Sequence, residues 1–326
     1  MSKWKYDQAG YFLPQGIGTL IPGQVKNPRI RAVTEAFIAN ARRIHTTWKL
    51  KPDLVEHACV NTENLCRAFF EMTGHLDFAK ALHDDPNIQN KLSKKLTDWF
   101  AAQTANAPDP YKVFYDPERA IMRFVELADN YPDKWGEGLH ATLAAMLTGA
   151  WTSFEVLASD LWEAALNVHP RTLTNLKGKT EDISTPHLLN VMRKVTRGTF
   201  NASELMGTIL REKFAFHKLS GIRKAYSAAF SKRCEKVDEI LSDRAFDKLN
   251  LVRNLLLHKG GIVEEEKFLK AAKDTGWSPP GTVGELFPID GETVSGLIRP
   301  VFQRCADLIL AVDDWIRTTP SDADDS

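Results

Sequence analysis

Three residues near position 255 carry chemistry that a packing helix does not need: Arg253, Asn254 and His258. An imidazole titrates near neutrality and can give or take a proton. A guanidinium can grip a phosphate at two points and stabilise charge that builds on its oxygens, and an amide can orient either partner. Together they are tools for breaking a phosphodiester. Asn254 and His258 are four apart and share a helix face, and Asn250 extends that stripe by one turn. Arg253 sits about 100° round the helix, and its long side chain can lean toward the stripe. Arg and His also fall this far apart at ordinary helix ends, so spacing alone leaves a surface pair as the other reading.

The motif needs a helix and something to pack it on. Phe246, Leu249, Val252 and Leu256 give the apolar stripe opposite the polar one, and Gly260-Gly261 follows as a terminator. The expected support is a long apolar helix from about Trp135 to Val168, whose core stripe is Leu143, Leu147, Ala150, Phe154, Leu157 and Leu161. Glu155 lies in that helix beside Trp151. A carboxylate among apolar neighbours needs a partner if it is buried. Arg253 is the candidate that would place Glu155 at the site, the alternative being a surface or structural ion pair.

Read in order, residues 1–31 are broken by Gly and Pro and predict an extended arm. Helical periodicity begins near Ala32, and a second helix is expected from about Asp53 to Met72. Helices near Asn87–Ala105 and Glu118–Asn130 follow, and Tyr131-Pro132-Asp133 reads as a domain boundary. After His169-Pro170, the pattern predicts a helix opening at Ser184-Thr185-Pro186, then pieces over Ala202–Lys213 and Gly221–Ser231. The motif helix is expected over Lys236–His258, with a break near Ser242-Asp243. A short extended piece, Glu285–Ile289, precedes a last helix over Glu292–Arg317 that Asp290 caps and Pro300 kinks. Arg211, Lys213, Lys218, Arg223, Lys224, Lys232 and Arg233 suggest an RNA-facing edge. Phe214, Phe216 and Tyr226 suit either base stacking or the core. Arg29, Arg31, Arg42, Arg43, Lys49 and Lys51 make a second basic stretch, best read as a solvated face.

Arg253-Asn254-x-x-x-His258 resembles the signature of the HEPN family (higher eukaryotes and prokaryotes nucleotide-binding), in which an Arg and a polar residue precede a His by a few positions. The following Lys259-Gly260-Gly261-Ile262-Val263 and the earlier Trp151-Thr152-Ser153-Phe154-Glu155 are similar to bacterial members, and the likeness covers about the second half of the chain. It implies a helical bundle and a metal-independent endoribonuclease acting as a homodimer on RNA. The implied setting is a toxin–antitoxin or anti-phage system, with an antitoxin or regulatory protein as partner. Arg253, Asn254 and His258 would then be catalytic, with Asn250, Lys259 and Glu155 as substrate-binding candidates. Some members instead serve as inactive interaction or nucleotide-binding modules, which is the alternative reading. In others a Tyr two residues after the His is modified by a partner. Gly260 occupies that position here, so that control lacks its target.

Composition bounds these readings. The 326 residues carry 42 basic and 42 acidic side chains, so no global field attracts nucleic acid and any RNA site must be a local patch. The four cysteines have no disulfide or zinc spacing, and His57, Cys59, Cys66 and His75 match no metal pattern, so no metal or other cofactor is expected. No phosphate-cradling glycine loop, dinucleotide fingerprint or nucleophile elbow is present. The start of the chain lacks an apolar signal region, and the His, Thr and Ser content around Leu139–Ala158 argues against a membrane span. These features predict a cytoplasmic, mostly α protein. Residues 1–133 are expected to form its N-terminal helical region and 319–326 an acidic tail, and the resemblance implies a HEPN-like antiparallel bundle over 134–318.

Overall fold

The computed structural model describes residues 9, 12, 23–74, 76–105, 117–169, 206–230, 234–263 and 266–319. Among these the chain is mostly α-helical, and the β pairing is one isolated antiparallel bridge between Ile262 and Leu286. The expected helix at 184–198 and the tail at 320–326 lie outside the described residues. The chain divides into two compact units, Met1–Tyr6 with Thr46–Leu139, and Asp7–His45 with His140–Ser326. They are interleaved in sequence, so residues 7–45 belong to the same unit as the motif.

Helix α1, Pro28–Thr73, starts four residues before the expected Ala32 and continues through Pro52. Its start is set by Asn27, whose side-chain oxygen accepts from the Arg29 and Ile30 backbone N–H groups, with proline in the first turn. A proline removes one backbone hydrogen bond and crowds the preceding turn, which is why the sequence pattern suggested two helices there.

In the smaller unit, α2 (Phe78–Asp84), α3 (Ile88–Thr104) and α4 (Pro117–Asn130) follow. Helix α2 is an element the sequence did not signal. Seven residues are too few to show periodicity, and its clearest mark is Asp77, which caps the Lys80 N–H. Ala68, Phe69, Ala81, Ile88 and Leu92 form a core cluster of this unit. A π-helical turn, Pro132–Gly136, leads into α5, Glu137–Val168.

The larger unit is built on α5 and α11 (Gly291–Thr318). The six predicted stripe residues of α5 are all buried, and Trp151 and Trp162 are buried with them. By length and composition alone the run Pro132–Val168 could cross a bilayer, and 56% of its most apolar window is buried inside the protein. Between α5 and α11 in the chain come α6 (Met206–Arg211), α7 (Leu219–Phe230), α8 (Glu235–Leu241), α9 (Arg244–Lys259) and α10 (Glu266–Asp274). The break near Ser242-Asp243 is present, and Asp243 caps α9 by accepting from Ala245 N–H at 2.8 Å. Asp290 caps α11 as expected, accepting from Thr293 N–H at 2.8 Å.

Two buried polar bonds join α5 to α7: Trp162 Nε1–H donates to Ala225 O at 2.9 Å, and Tyr226 O–H donates to Ala158 O at 2.8 Å. Phe154 of α5 meets Phe246 of α9 at 4.4 Å between ring centroids, which seats the motif helix on the long one. The start of α1 is tied to α11 where Asp313, nearly buried, accepts from the Lys26 and Asn27 N–H groups at 3.0 and 2.8 Å. Phe12 and Phe37 pack edge-on against Phe302 of α11.

Candidate functional site

The inward face of α9 is Phe246, Leu249, Val252 and Leu255. Leu255 takes the place expected for Leu256, which is only partly buried. Gly260 ends the helix with φ of 58°, a left-handed conformation that glycine adopts without the steric penalty most side chains bring. The chain then turns sharply. Gly261 N–H reaches back to Leu255 O at 3.2 Å, and Phe287 N–H donates to Gly261 O at 2.8 Å. The expected extended piece at 285–289 therefore exists as the strap that pins the end of the motif helix.

The polar residues of α9 open onto a cleft of about 780 Å³. Asp247, Asn250, Arg253, Asn254 and His258 line it from α9. His217, Lys218, Ser220 and Arg223 line it from α7 and the turn before it. Four of the six residues singled out in the sequence thus share one cleft. Glu155 stands behind it on α5, and Lys259 is exposed at the end of α9, outside the lining.

A chain of polar contacts fixes the motif. Trp151 Nε1–H donates to Glu155 Oε1 at 2.5 Å. Glu155 Oε1 lies 3.8 Å from Arg253 Nη2, an ion pair with both side chains about four-fifths buried. Arg253 Nη1–H donates to Asn254 Oδ1 at 2.9 Å, and Asn254 Nδ2–H donates to Asn250 Oδ1 at 3.4 Å. Arg253 Nε is buried and makes no hydrogen bond. Burial pushes the Glu155 carboxyl above its usual range, against the Trp151 hydrogen bond and the charges of Arg253 and His217, which lower it. Glu155 therefore meets Arg253 at ion-pair range without a short hydrogen bond, which restrains the guanidinium and leaves donors on it for an incoming anion.

The second arginine in the cleft is different. Arg223 donates both Nη groups to Asp247 at 2.9 and 2.8 Å and its Nε–H to Leu241 O at 2.8 Å. Its planar fork is filled by α9 and the end of α8. Of the cations lining the cleft, Arg253 and Lys218 are the ones placed to meet a phosphate.

The rings that suited either stacking or packing serve the core. Phe216 and Tyr226 are buried, and Phe214 packs against Trp162 at 5.3 Å. His217 and Asp247 were not picked out in the sequence. The one local sign of His217 was its place directly after Phe214-Ala215-Phe216, whose two rings pack on Trp162. Asp247 gave no comparable sign, because its pairing with Arg223 spans 24 positions. Among the described residues, no three His, Cys, Asp or Glu side chains group closely enough to hold a metal ion.

Comparison of the chain with protein-family models, curated proteins and solved structures gives no match.

Proposed function

We propose that the cleft between α7 and α9 is the active site of an endoribonuclease that cleaves RNA by attack of a ribose 2′-hydroxyl on its own phosphate. One observation carries this reading: Arg253, Asn254, Asn250 and His258 open onto a single cleft, with Arg253 held from behind by Glu155. The substrate supplies the nucleophile, so the protein needs only proton transfer and charge stabilisation, and no metal enters the proposed step. His258 moves a proton. Arg253, with Lys218 nearby, holds the phosphate and stabilises the charge on its oxygens in the transition state, and Asn254 and Asn250 orient the guanidinium. The resemblance of Arg253-Asn254-x-x-x-His258 to the HEPN signature supports the same chemistry, and with it a role in toxin–antitoxin or anti-phage defence.

The reading includes a two-fold homodimer, because an isologous interface near the Asn250–His258 stripe would bring two clefts together. Light scattering at micromolar protein should give twice the chain mass of 36.6 kDa. A monomer would remove the shared cleft from the proposal.

The function is tested with purified protein and RNA in EDTA. Cleavage should persist, and His258→Ala should slow it about 10²–10⁴-fold through lost proton transfer. Arg253→Ala should cost about 10²–10³-fold, and Arg253→Lys should recover only part of that because an ammonium lacks the planar fork. Wild-type cleavage by a folded His258→Ala protein would reject the mechanism. The cleft would then be read as a nucleotide-binding module without catalysis.

A further inference from the structure

Cleavage by a 2′-hydroxyl needs two proton transfers, one away from the nucleophile and one to the leaving oxygen. The motif helix supplies one imidazole per chain. The cleft contains a second, His217, contributed by a different element.

His217 sits on the turn between α6 and α7, and the surrounding sequence fixes that turn. The flanking Phe214 and Phe216 pack on the buried Trp162 at 5.3 and 5.6 Å between ring centroids. Lys218 N–H donates to Ala215 O at 2.9 Å, and Ile222 N–H to Lys218 O at 3.0 Å. Gly221, in the first turn of α7, has the Ala215 carbonyl oxygen where a Cβ would stand, so only glycine lets the turn fold this tightly against the helix. With both neighbouring rings turned inward, His217 is left exposed on the cleft, as His258 is. Lys218, Arg223, Asp247 and Arg253 are the charged groups that line the cleft with the two imidazoles, and Glu155 lies close enough to feel the charge of His217. The volume is within the range of about 300–1,000 Å³ typical of small-molecule sites, enough for the nucleotides flanking one phosphate.

We propose that His217 is a second catalytic residue, which shares the two proton transfers with His258 inside one cleft. This rests on the ribonuclease reading above. One imidazole takes the proton of the 2′-hydroxyl as the 2′-oxygen bonds to phosphorus. The other, protonated, gives its proton to the 5′-oxygen as the bond from phosphorus to that oxygen breaks. The products are a 2′,3′-cyclic phosphate and a 5′-hydroxyl. The two histidines have exchanged protonation states and reset through water, and no oxidant, reductant or further reactant is consumed. The second proton-transfer group then comes from the same chain, and dimerisation is not required to supply it.

The test compares wild type, His217→Ala, His217→Gln and His258→Ala on two substrates, RNA and the same RNA with sulfur replacing one 5′-bridging oxygen. A thiolate leaves without being protonated. On RNA each variant should be slower by about 10²–10⁴-fold. On the sulfur substrate one histidine position should recover most of its rate and the other should not, because only the lost acid is bypassed. The bell-shaped pH–rate profile should lose one limb in each variant, a different limb for each position. Circular dichroism should show all variants folded, as expected for exposed side chains, and His217→Gln preserves bulk if His217→Ala does not fold. Wild-type rates in both His217 variants, while His258→Ala is inactive, would overturn the inference and leave the ribonuclease reading standing. So would His217 variants that are slow on both substrates and keep both limbs, since that is the mark of a positioning role. A wild-type protein that cleaves no RNA would overturn both.

Discussion

Arg223 and Arg253 line the same cleft, yet their surroundings are opposite. Arg223 has its fork filled by the two oxygens of Asp247 and its Nε by a backbone carbonyl. Arg253 has one close hydrogen bond, to the neighbouring Asn254, a carboxylate at 3.8 Å and a buried Nε with no acceptor. A guanidinium has five donors and gains most from planar, two-point contacts. Arg223 uses that capacity to join α7 to α9, and Arg253 keeps much of it in reserve. The difference separates two uses of an arginine within one pocket: the satisfied one builds the wall, and the under-satisfied one, in the proposed function, would face the substrate. A residue held in place with unmet bonding capacity costs stability, and such sites are expected where a ligand completes the set.

The comparison first requires that both arginines stand on one rigid platform. Trp162 and Tyr226 tie the helix of Arg223 to α5, and Phe154 seats the helix of Arg253 there, because its ring is fully buried and meets Phe246 of the motif helix. Phe154→Ala should lower unfolding stability by about 3–5 kcal/mol in a denaturant titration. An unchanged midpoint would mean that α9 does not depend on α5 for support.

Exchanging the roles of the two arginines is the next test. Arg223→Ala removes charge-assisted bonds and leaves Asp247 without its partner, so stability should fall by about 1.5–3 kcal/mol. The effect on cleavage by the folded fraction should be smaller than that of Arg253→Ala. Arg253→Ala should do the reverse, costing less stability than Arg223→Ala while the rate collapses. If Arg253→Ala is the more destabilising of the two, the distinction between wall and contact fails.

Much of this was legible in the sequence where the physics is local. The stripe of α5, the break at Ser242-Asp243, the cap at Asp290 and the glycine stop after His258 all follow from residue type and spacing over a few positions. The polar stripe of α9 was readable for the same reason. What the sequence did not show depends on distant pairing or on elements too short to have a period. Asp247 becomes the partner of Arg223 only when α5 carries both helices, α7 through Trp162 and Tyr226 and α9 through Phe154 and Phe246. His217 reaches the cleft because two rings anchor a turn, and no periodic pattern marks a turn. Pro52 misled because a proline is a strong local signal against helix, and here the surrounding turns continue through it.

The smallest expected effect concerns Glu155. Burial raises its carboxyl above the ordinary value of 4.5. A raised acid binds its proton more tightly folded than unfolded, so its contribution to stability is greatest at low pH and falls as pH rises through the unfolded value toward the folded one. Glu155→Gln keeps an acceptor for Trp151 and removes the charge. Its thermal midpoint, measured relative to wild type, should therefore increase as pH rises past 4.5, with little difference below that value. A variant that loses stability relative to wild type as pH rises would show that the ion pair with Arg253 outweighs burial, and Arg253 would then be less free than the geometry indicates.

The central claim is that the substrate's own 2′-hydroxyl is the nucleophile at this cleft, and it is tested most directly by the end groups of the product. An RNA that the protein cleaves at one site is compared with the same strand carrying a single 2′-deoxy nucleotide immediately 5′ of the scissile phosphate, both in EDTA. The account predicts that the first strand gives a 2′,3′-cyclic phosphate, or the 3′-phosphate formed from it, with a 5′-hydroxyl on the other fragment, and that the second strand survives. Cleavage of the deoxy-substituted strand at the same bond, or a 5′-phosphate on the released fragment, would contradict it.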